Sequence, residues 1–276
     1  MKGYCDLHTH SSFSDGTLTP TELIRLAETV GLGAVALCDH NTIAGLPEFL
    51  KAAEGSPVEA VPGIEFSTEY EGEELHILGL FIGPEDRDAV NALLAEALEM
   101  KEQSNLDMVR KLGEAGINLN YARIKAEAGG TVNRAVIASH MVREGYCASM
   151  NEAFRDWLAP EKGFFVQPKR MDAFEVIRFI KSVGAVAVLA HPFLNLEEGA
   201  LRQFLSKADG LDGMEVYYPL FDENQIALAV RIAEEFGLLK SGGSDFHGEN
   251  KPDIRLGVGK GTLRVPMEYL EDMKCH

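Results

Sequence analysis

The 276-residue sequence predicts an α/β fold, and three observations carry that reading. Short apolar runs of strand length alternate with amphipathic helical patterns. The alternation stops after Pro84 and resumes after Gly163. Histidines gather at the ends of the apolar runs instead of scattering through the chain. Repeated strand–helix units imply a parallel sheet, open or closed into a barrel.

The first run is Gly3–Leu7. Thr19-Pro20 should start a helix that runs to Val30, with Leu23, Ile24, Leu26 and Ala27 on one face. A second run, Ala34–Cys38, precedes a helical stretch near Leu46–Ala53. Val58–Pro62 is a third run. Ile64–Tyr70 and Leu75–Phe81 then form a hairpin around Glu71-Gly72-Glu73.

From Asp86 to about Leu112 there is one long helical pattern, with shorter ones at Ala122–Ala128, Arg134–Glu144 and Met150–Trp157. The strand–helix rhythm then returns. Helices at Asp172–Val183, Gly199–Lys207 and Asn224–Phe236 precede strands at Ala185–Ala190, Gly213–Tyr217 and Leu238–Gly242. The chain thus divides into a first sheet part over 1–85, a helical insert over 86–163 and a second sheet part over 164–276.

With 46% hydrophobic residues the chain can bury a sizeable core. Its net charge of −17 argues against duplex nucleic acid and anionic membranes as partners. It leaves room for an anionic substrate in a local cationic pocket. Four cysteines form no C-x-x-C pair, and Cys5 and Cys38 lie in apolar runs as buried thiols, a pattern that suits a reducing cytoplasm. No leader segment and no membrane-spanning run is read, so the expected location is cytoplasmic.

Six of the eight histidines lie beside predicted strand ends: His8, His10, His40, His76, His191 and His247. The active face of α/β folds lies at strand C-terminal ends. His76 starts its strand, and needs the hairpin to return it to that face. Asp15, Glu65 and Asp245 accompany these histidines. Imidazole and carboxylate are the usual ligands of zinc, manganese and iron. Side chains at i and i+2 of an extended segment point the same way, so His8 and His10 can grip one ion. Asp245 and His247 can do the same if their backbone stays extended. His276, at the C-terminus, is expected in solvent.

Taken in order, DLHTHSSFSDG, CDHNT, PGIE, HILG, AHP and GGSDFH resemble the metal-binding motifs of the PHP (polymerase and histidinol phosphatase) family of phosphoesterases. The resemblance spans Tyr4 to His247. The helical section between HILG and AHP is similar to that of the subgroup that removes phosphate from nucleotides, including 3′,5′-bisphosphates and short RNA ends. The resemblance implies a distorted seven-stranded (β/α) barrel of PHP type with a small helical insert domain. It also implies three divalent transition-metal ions: manganese, zinc or iron. His8, His10, Glu65 and Asp245 would hold one ion. Glu65 would bridge to a second ion, shared with His76 and His191. Asp15, His40 and His247 would hold a third. Some members carry histidine where Asp15 stands; aspartate, a hard ligand, favours manganese or iron.

The same resemblance implies hydrolysis of nucleotide phosphate monoesters by a metal-bound hydroxide. Glu65, Asp245 and His191 are read as the ligands that also carry catalysis. A cyclic phosphodiesterase acting on a phosphorylated sugar or nucleotide is the alternative, followed by a histidinol phosphatase. On the insert, Arg134 and His140 are the candidates to bind the substrate phosphate. Related sequences read GRPH where this chain has NRAV, so Arg134 matches and Val136 departs. A solvated helix face is the competing reading for Arg134 and His140. Lys162, Lys169 and Arg170 are weaker candidates. Asp39 either accepts an imidazole N–H or caps the segment after it. Tyr217 and Tyr218 either stack on a base or sugar, or pack at the rim. Gly242-Gly243 allows close backbone approach beneath the metals.

Overall fold

In the computed structural model, which describes residues 3–128, 132–166 and 170–276, the first element is strand β1 (Tyr4–Thr9). It is buried on both faces beyond Tyr4, as a parallel strand covered by helices must be. Helix α1 (Pro20–Val30) starts on a capping box. The Thr19 hydroxyl accepts the Glu22 N–H, and the Glu22 side chain accepts the Thr19 N–H. Gly31, at φ 76°, ends it in the left-handed region. Strand β2 (Ala34–Leu37) and helix α2 (Leu46–Ala52) follow.

Strand β3 (Glu59–Tyr70) is continuous, where the sequence reading split it at Pro62-Gly63. The dipeptide marks a change of partner, not a break. Glu59–Pro62 pair in parallel with β2, and Gly63–Tyr70 pair antiparallel with strand β4 (Glu73–Leu80). Gly63 is required there because a Cβ would lie 2.9 Å from Cys38 Sγ.

Helices α3 (Arg87–Glu114), α4 (Tyr121–Ala128), α5 (Arg134–Arg143) and α6 (Met150–Ala153) come next, the last continuing through a π-helical turn at Phe154–Leu158. A short strand β5 (Met171–Asp172) pairs with β3. The remainder alternates as α7 (Ala173–Ser182), β6 (Val186–Leu189), α8 (Glu198–Leu205), β7 (Gly213–Tyr217), α9 (Glu223–Glu235) and β8 (Leu239–Gly242). Strand β9 (Val265–Pro266) and helix α10 (Met267–Lys274) end the described chain. The sequence reading did not contain β5, β9 or α10. Two-residue strands carry no periodicity.

The chain divides into two compact units: Met1–Ala92 with Met171–His276, and Leu93–Arg170. The second packs Met108, Leu112, Ile124, Ile137, Met141 and Leu158 into its own core. In the first, the strand order is β8-β7-β6-β4-β3-β2-β1-β9. β1 also meets the segment after β8: the Asp245 N–H donates to the His8 carbonyl at 2.8 Å and the His10 N–H to the Phe246 carbonyl at 2.9 Å. The sheet therefore nearly closes into a barrel of seven strands, β1, β2, β3, β4, β6, β7 and β8. β4 alone runs against the others. Cys5, Leu7, Ala36, Leu78, Val188 and Val265 belong to one core cluster built from strand residues, to which α10 adds Leu270 and Met273.

Candidate metal centre

The reversed direction of β4 explains His76. The start of β4 lies at the same end of the barrel as the C-terminal ends of its neighbours, so His76 meets Glu65 there. His8 and His10 project from one face of β1 and its extension. A parallel bridge sets His40 beside Glu65. His191 follows β6 at φ 27° and Asp245 follows β8 at φ 52°. Both are non-glycine residues in the left-handed region, a strain that persists only where surrounding structure imposes it. Asp245 is therefore not extended, so the condition under which Asp245 and His247 would point the same way along a strand is not met. A turn brings them together instead, with His247 Nδ1 3.4 Å from Asp245 Oδ1.

Glu65 is the hub. Its Oε1 lies 2.7 Å from His76 Nδ1 and 3.1 Å from His191 Nε2. Its Oε2 lies 3.2 Å from His8 Nε2, 3.3 Å from His10 Nε2 and 3.0 Å from His40 Nδ1. Asp245 Oδ1 is 3.1 Å from His10 Nε2, and Asp15 Oδ1 is 3.2 Å from His247 Nε2. The nine residues form overlapping groups: His8, His10 and Asp245; His8, Glu65 and His191; His40, Glu65 and His76; His10, Asp15, His40 and His247. His8, His10 and Glu65 are fully buried, whereas the Asp15 side chain is 53% exposed and marks the open side.

These groups suit divalent ions. His8 Nε2, both ring nitrogens of His10, His40 Nδ1, His247 Nε2 and Glu65 Oε2 are buried without a hydrogen-bond partner, although they lie close together. Unpaired buried polar atoms are costly and rare. Several lone pairs converging on shared points, with mixed imidazole and carboxylate donors, form a ligand set for transition metals.

At Glu65, His8, His76 and Asp15 burial opposes charge, and opposite charges outweigh it. Burial alone would raise the Glu65 carboxyl, but His8, His76 and His40 hold it well below the usual range. Burial would lower His8 and His76. Carboxylates reverse this: Glu65 and Glu215 lift His8 well above the usual imidazole range, and Glu65 and Glu74 bring His76 to about 9. Burial would raise Asp15, yet His247 and His40 bring it to about 2.

A profile described as the PHP domain matches residues 6–164, more than half of the chain. This chain belongs to the PHP domain family.

The PHP chain is 38% identical to a 5′-3′ exoribonuclease of Haemophilus influenzae, over 88% of its own length and 89% of that protein. It is 32% identical to a 3′,5′-nucleoside bisphosphate phosphatase of Chromobacterium violaceum, covering 90% of each. A crystal structure of a metal-dependent phosphoesterase from Bifidobacterium adolescentis superposes at a TM-score of 0.73 with 28% identity, over 98% of this chain and 95% of that one. The chain is a hydrolase acting on phosphoric esters, with side chains placed to hold divalent metals.

The second layer of this PHP site was largely absent from the sequence reading. Glu215, fully buried on β7, places Oε1 3.1 Å from His8 Nδ1 and accepts the His191 N–H on Oε2 at 2.6 Å. An ionised carboxylate only accepts, so His8 Nδ1 carries the proton and Nε2 faces Glu65. The signal was a lone acid inside the apolar run GMEVY. Among the described residues the Asp39 carboxylate bonds neither an imidazole nor the start of α2. It accepts the Ser11 N–H at 2.7 Å and the Ser11 and Ser14 hydroxyls at 2.6 Å, tying down the loop that carries Asp15. Tyr218 donates its hydroxyl to Asp245 Oδ2 at 2.8 Å, and Lys251 Nζ meets the same oxygen at 2.7 Å. Tyr217 packs against Tyr269.

In the insert, Arg134 stands at the start of α5 with its guanidinium 4.3 Å from the Phe165 ring centroid, and Asn133 caps the helix. His140 is buried and its Nδ1 lies 2.7 Å from an Arg143 nitrogen. Burial, then the Arg143 charge, push that imidazole below its usual range. Lys162 is exposed, Arg170 is partly buried, and Lys169 lies outside the described residues. His276 is not simply solvated: its Nε2 lies 3.1 Å from Asp212 Oδ1, with half the side chain exposed. No helix among the described residues is long and apolar enough to cross a membrane.

Proposed function

We propose that this PHP chain hydrolyses phosphate monoesters of nucleotides, with 3′,5′-bisphosphates and short oligoribonucleotides as its substrates. One observation carries the reading. The two oxygens of Glu65 divide the imidazoles into two sets, His76 and His191 on one side and His8, His10 and His40 on the other. Such a carboxylate suits a bridge between two cations. The relatives that match over nearly the whole chain are named for exoribonuclease and bisphosphate phosphatase activities.

In this reading His8, His10, Glu65 and Asp245 hold one divalent ion; Glu65, His76 and His191 a second; Asp15, His40 and His247 a third, of manganese, zinc or iron. When bound, such ions polarise phosphoryl oxygens and activate water at neutral pH. The chain's own residues prepare the site for this. Glu215 fixes the His8 tautomer. The Asp245 carbonyl accepts from His247 Nδ1 at 2.8 Å, leaving Nε2 toward Asp15. The burial of His8, His10 and Glu65 keeps bulk water from the floor, and Asp15, His40 and His76 border the approach. Arg134, at a helix start where backbone N–H groups also favour anions, is the residue assigned to orient the phosphoryl group. His140, the second residue assigned to the phosphoryl group in this scheme, lies buried against Arg143.

The test is a phosphate-release screen of the manganese-loaded protein. The panel holds 3′,5′-bisphosphates, mononucleotides, cyclic phosphates, histidinol phosphate and short RNA. The highest kcat/KM is expected for bisphosphates or short RNA. Turnover confined to cyclic phosphates or histidinol phosphate would overturn the assignment.

A further inference from the structure

A cavity of about 260 Å³ borders the metal centre through Asp245. Tyr218, Pro219, Leu220 and Ile254 supply ring and aliphatic walls, and Lys251 and Lys260 supply positive charge. Two lysines in one small cavity stand out in a chain of net charge −17. Two carboxylates also line it, Asp245 and Asp253. Asp245 is already engaged: Oδ1 faces His10 and His247, and Oδ2 takes hydrogen bonds from Tyr218 and Lys251. Lys260 forms no ion pair among the described residues and is exposed.

The loop carrying Lys260 is held in place. The Asp6 carboxylate accepts the Gly257 N–H at 2.7 Å, and the Arg255 and Gly259 backbones bond at 2.9 Å. Gly259, at φ 53°, lies so close to Pro219 that a Cβ would come within 3.0 Å of its ring. The cavity wall and the cation are thus parts of one anchored structure.

We propose that this cavity takes a second phosphate of the substrate, the one not being cleaved, against Lys260 and Lys251. The inference rests on the nucleotide reading above and adds to it a structural reason for preferring bisphosphates. Two phosphates on one ribose cannot share the same cations. When one sits at the centre, the other must enter neighbouring space, and the nucleoside between them needs an apolar wall. This cavity offers both next to Asp245. A monophosphate leaves Lys260 unused.

The test is calorimetric titration of the manganese-loaded full chain with two uncleavable probes. One is a nucleoside 3′,5′-bisphosphonate, with carbon in place of both bridging oxygens; the other is the matching monophosphonate. The wild-type protein should bind the bisphosphonate about tenfold more tightly, the scale of one charge-assisted contact. Lys260→Ala should remove most of that preference, Lys260→Arg should keep it, and Asp253→Asn should increase it. Opposite signs at Lys260 and Asp253 separate binding from damage to the fold. The same preference in wild type and Lys260→Ala would overturn the subsite. A Lys260-dependent preference in a protein that releases phosphate from no nucleotide would keep the subsite and sink the nucleotide reading. Nucleotide hydrolysis without that preference would do the reverse.

Discussion

Glu215 Oε1 lies 3.1 Å from Nδ1 of His8, across 207 residues of sequence. Its other oxygen accepts the backbone N–H of His191 at 2.6 Å. One carboxylate on β7 therefore aims an imidazole from β1 and holds the left-handed backbone after β6. Glu215→Gln keeps the shape but cannot accept on both sides. It should weaken metal binding by about 10- to 100-fold, the usual effect of losing such a partner. Titration with manganese, alongside the melting temperature of the chelated protein, checks this. Unchanged metal affinity would remove the orienting role.

Glu65→Gln should abolish phosphate release and lose at least one bound ion. The amide offers one acceptor where the carboxylate faces imidazoles with both oxygens. Metal content per chain is the deciding measurement. Full content with full activity would refute the bridge.

Gly243→Ala should distort the floor of the centre. Its Cβ would fall 2.4 Å from the Cβ of His8, inside the contact between β1 and the segment after β8. A loss of about 1–3 kcal/mol is expected, as for other overpacked sites. Gly199→Ala in α8 is the control, since a Cβ there meets nothing within 4 Å. Thermal unfolding of the two variants should separate them clearly.

Removing metal should lower thermal stability. The proposed ligands come from β1, the loop after it, β2's end, β3, β4 and the turns after β6 and β8. Binding at a hundredfold excess over Kd stabilises by about 2.7 kcal/mol, or about 5–10 °C for a chain of this size. An unaltered melting curve after dialysis against chelator would count against convergence of these segments on ions.

Arg134→Ala should chiefly raise KM for phosphorylated substrates, by about tenfold, with a smaller effect on kcat. Steady-state kinetics on a nucleoside 3′,5′-bisphosphate separate the two effects. Equal kcat/KM in wild type and variant would show that Arg134 does not touch phosphate.

The pairing of His8 with His10 was legible because side-chain direction along a strand is a local property of the backbone. The α1 boundaries were legible for the same reason: Thr19, Pro20, Glu22 and Gly31 act within a turn of one another. The continuity of β3 was not. Pro62-Gly63 looks like a break unless the partner strands on either side are known. Nor could the Asp245 turn be read, because its φ of 52° is imposed by pairing with His8.

By itself the sequence determined the donor set, its placement at strand ends and the interruption by a helical segment, all of which follow from residue type and local periodicity. Only the tertiary structure decided that β4 runs backwards and so delivers His76. It alone decided which Glu65 oxygen faces which imidazole, and that Glu215 and Asp39 stand behind the ligands. Those facts depend on which strands lie side by side, and neighbours in a sheet, such as β1 and β9, can be more than two hundred residues apart in the chain.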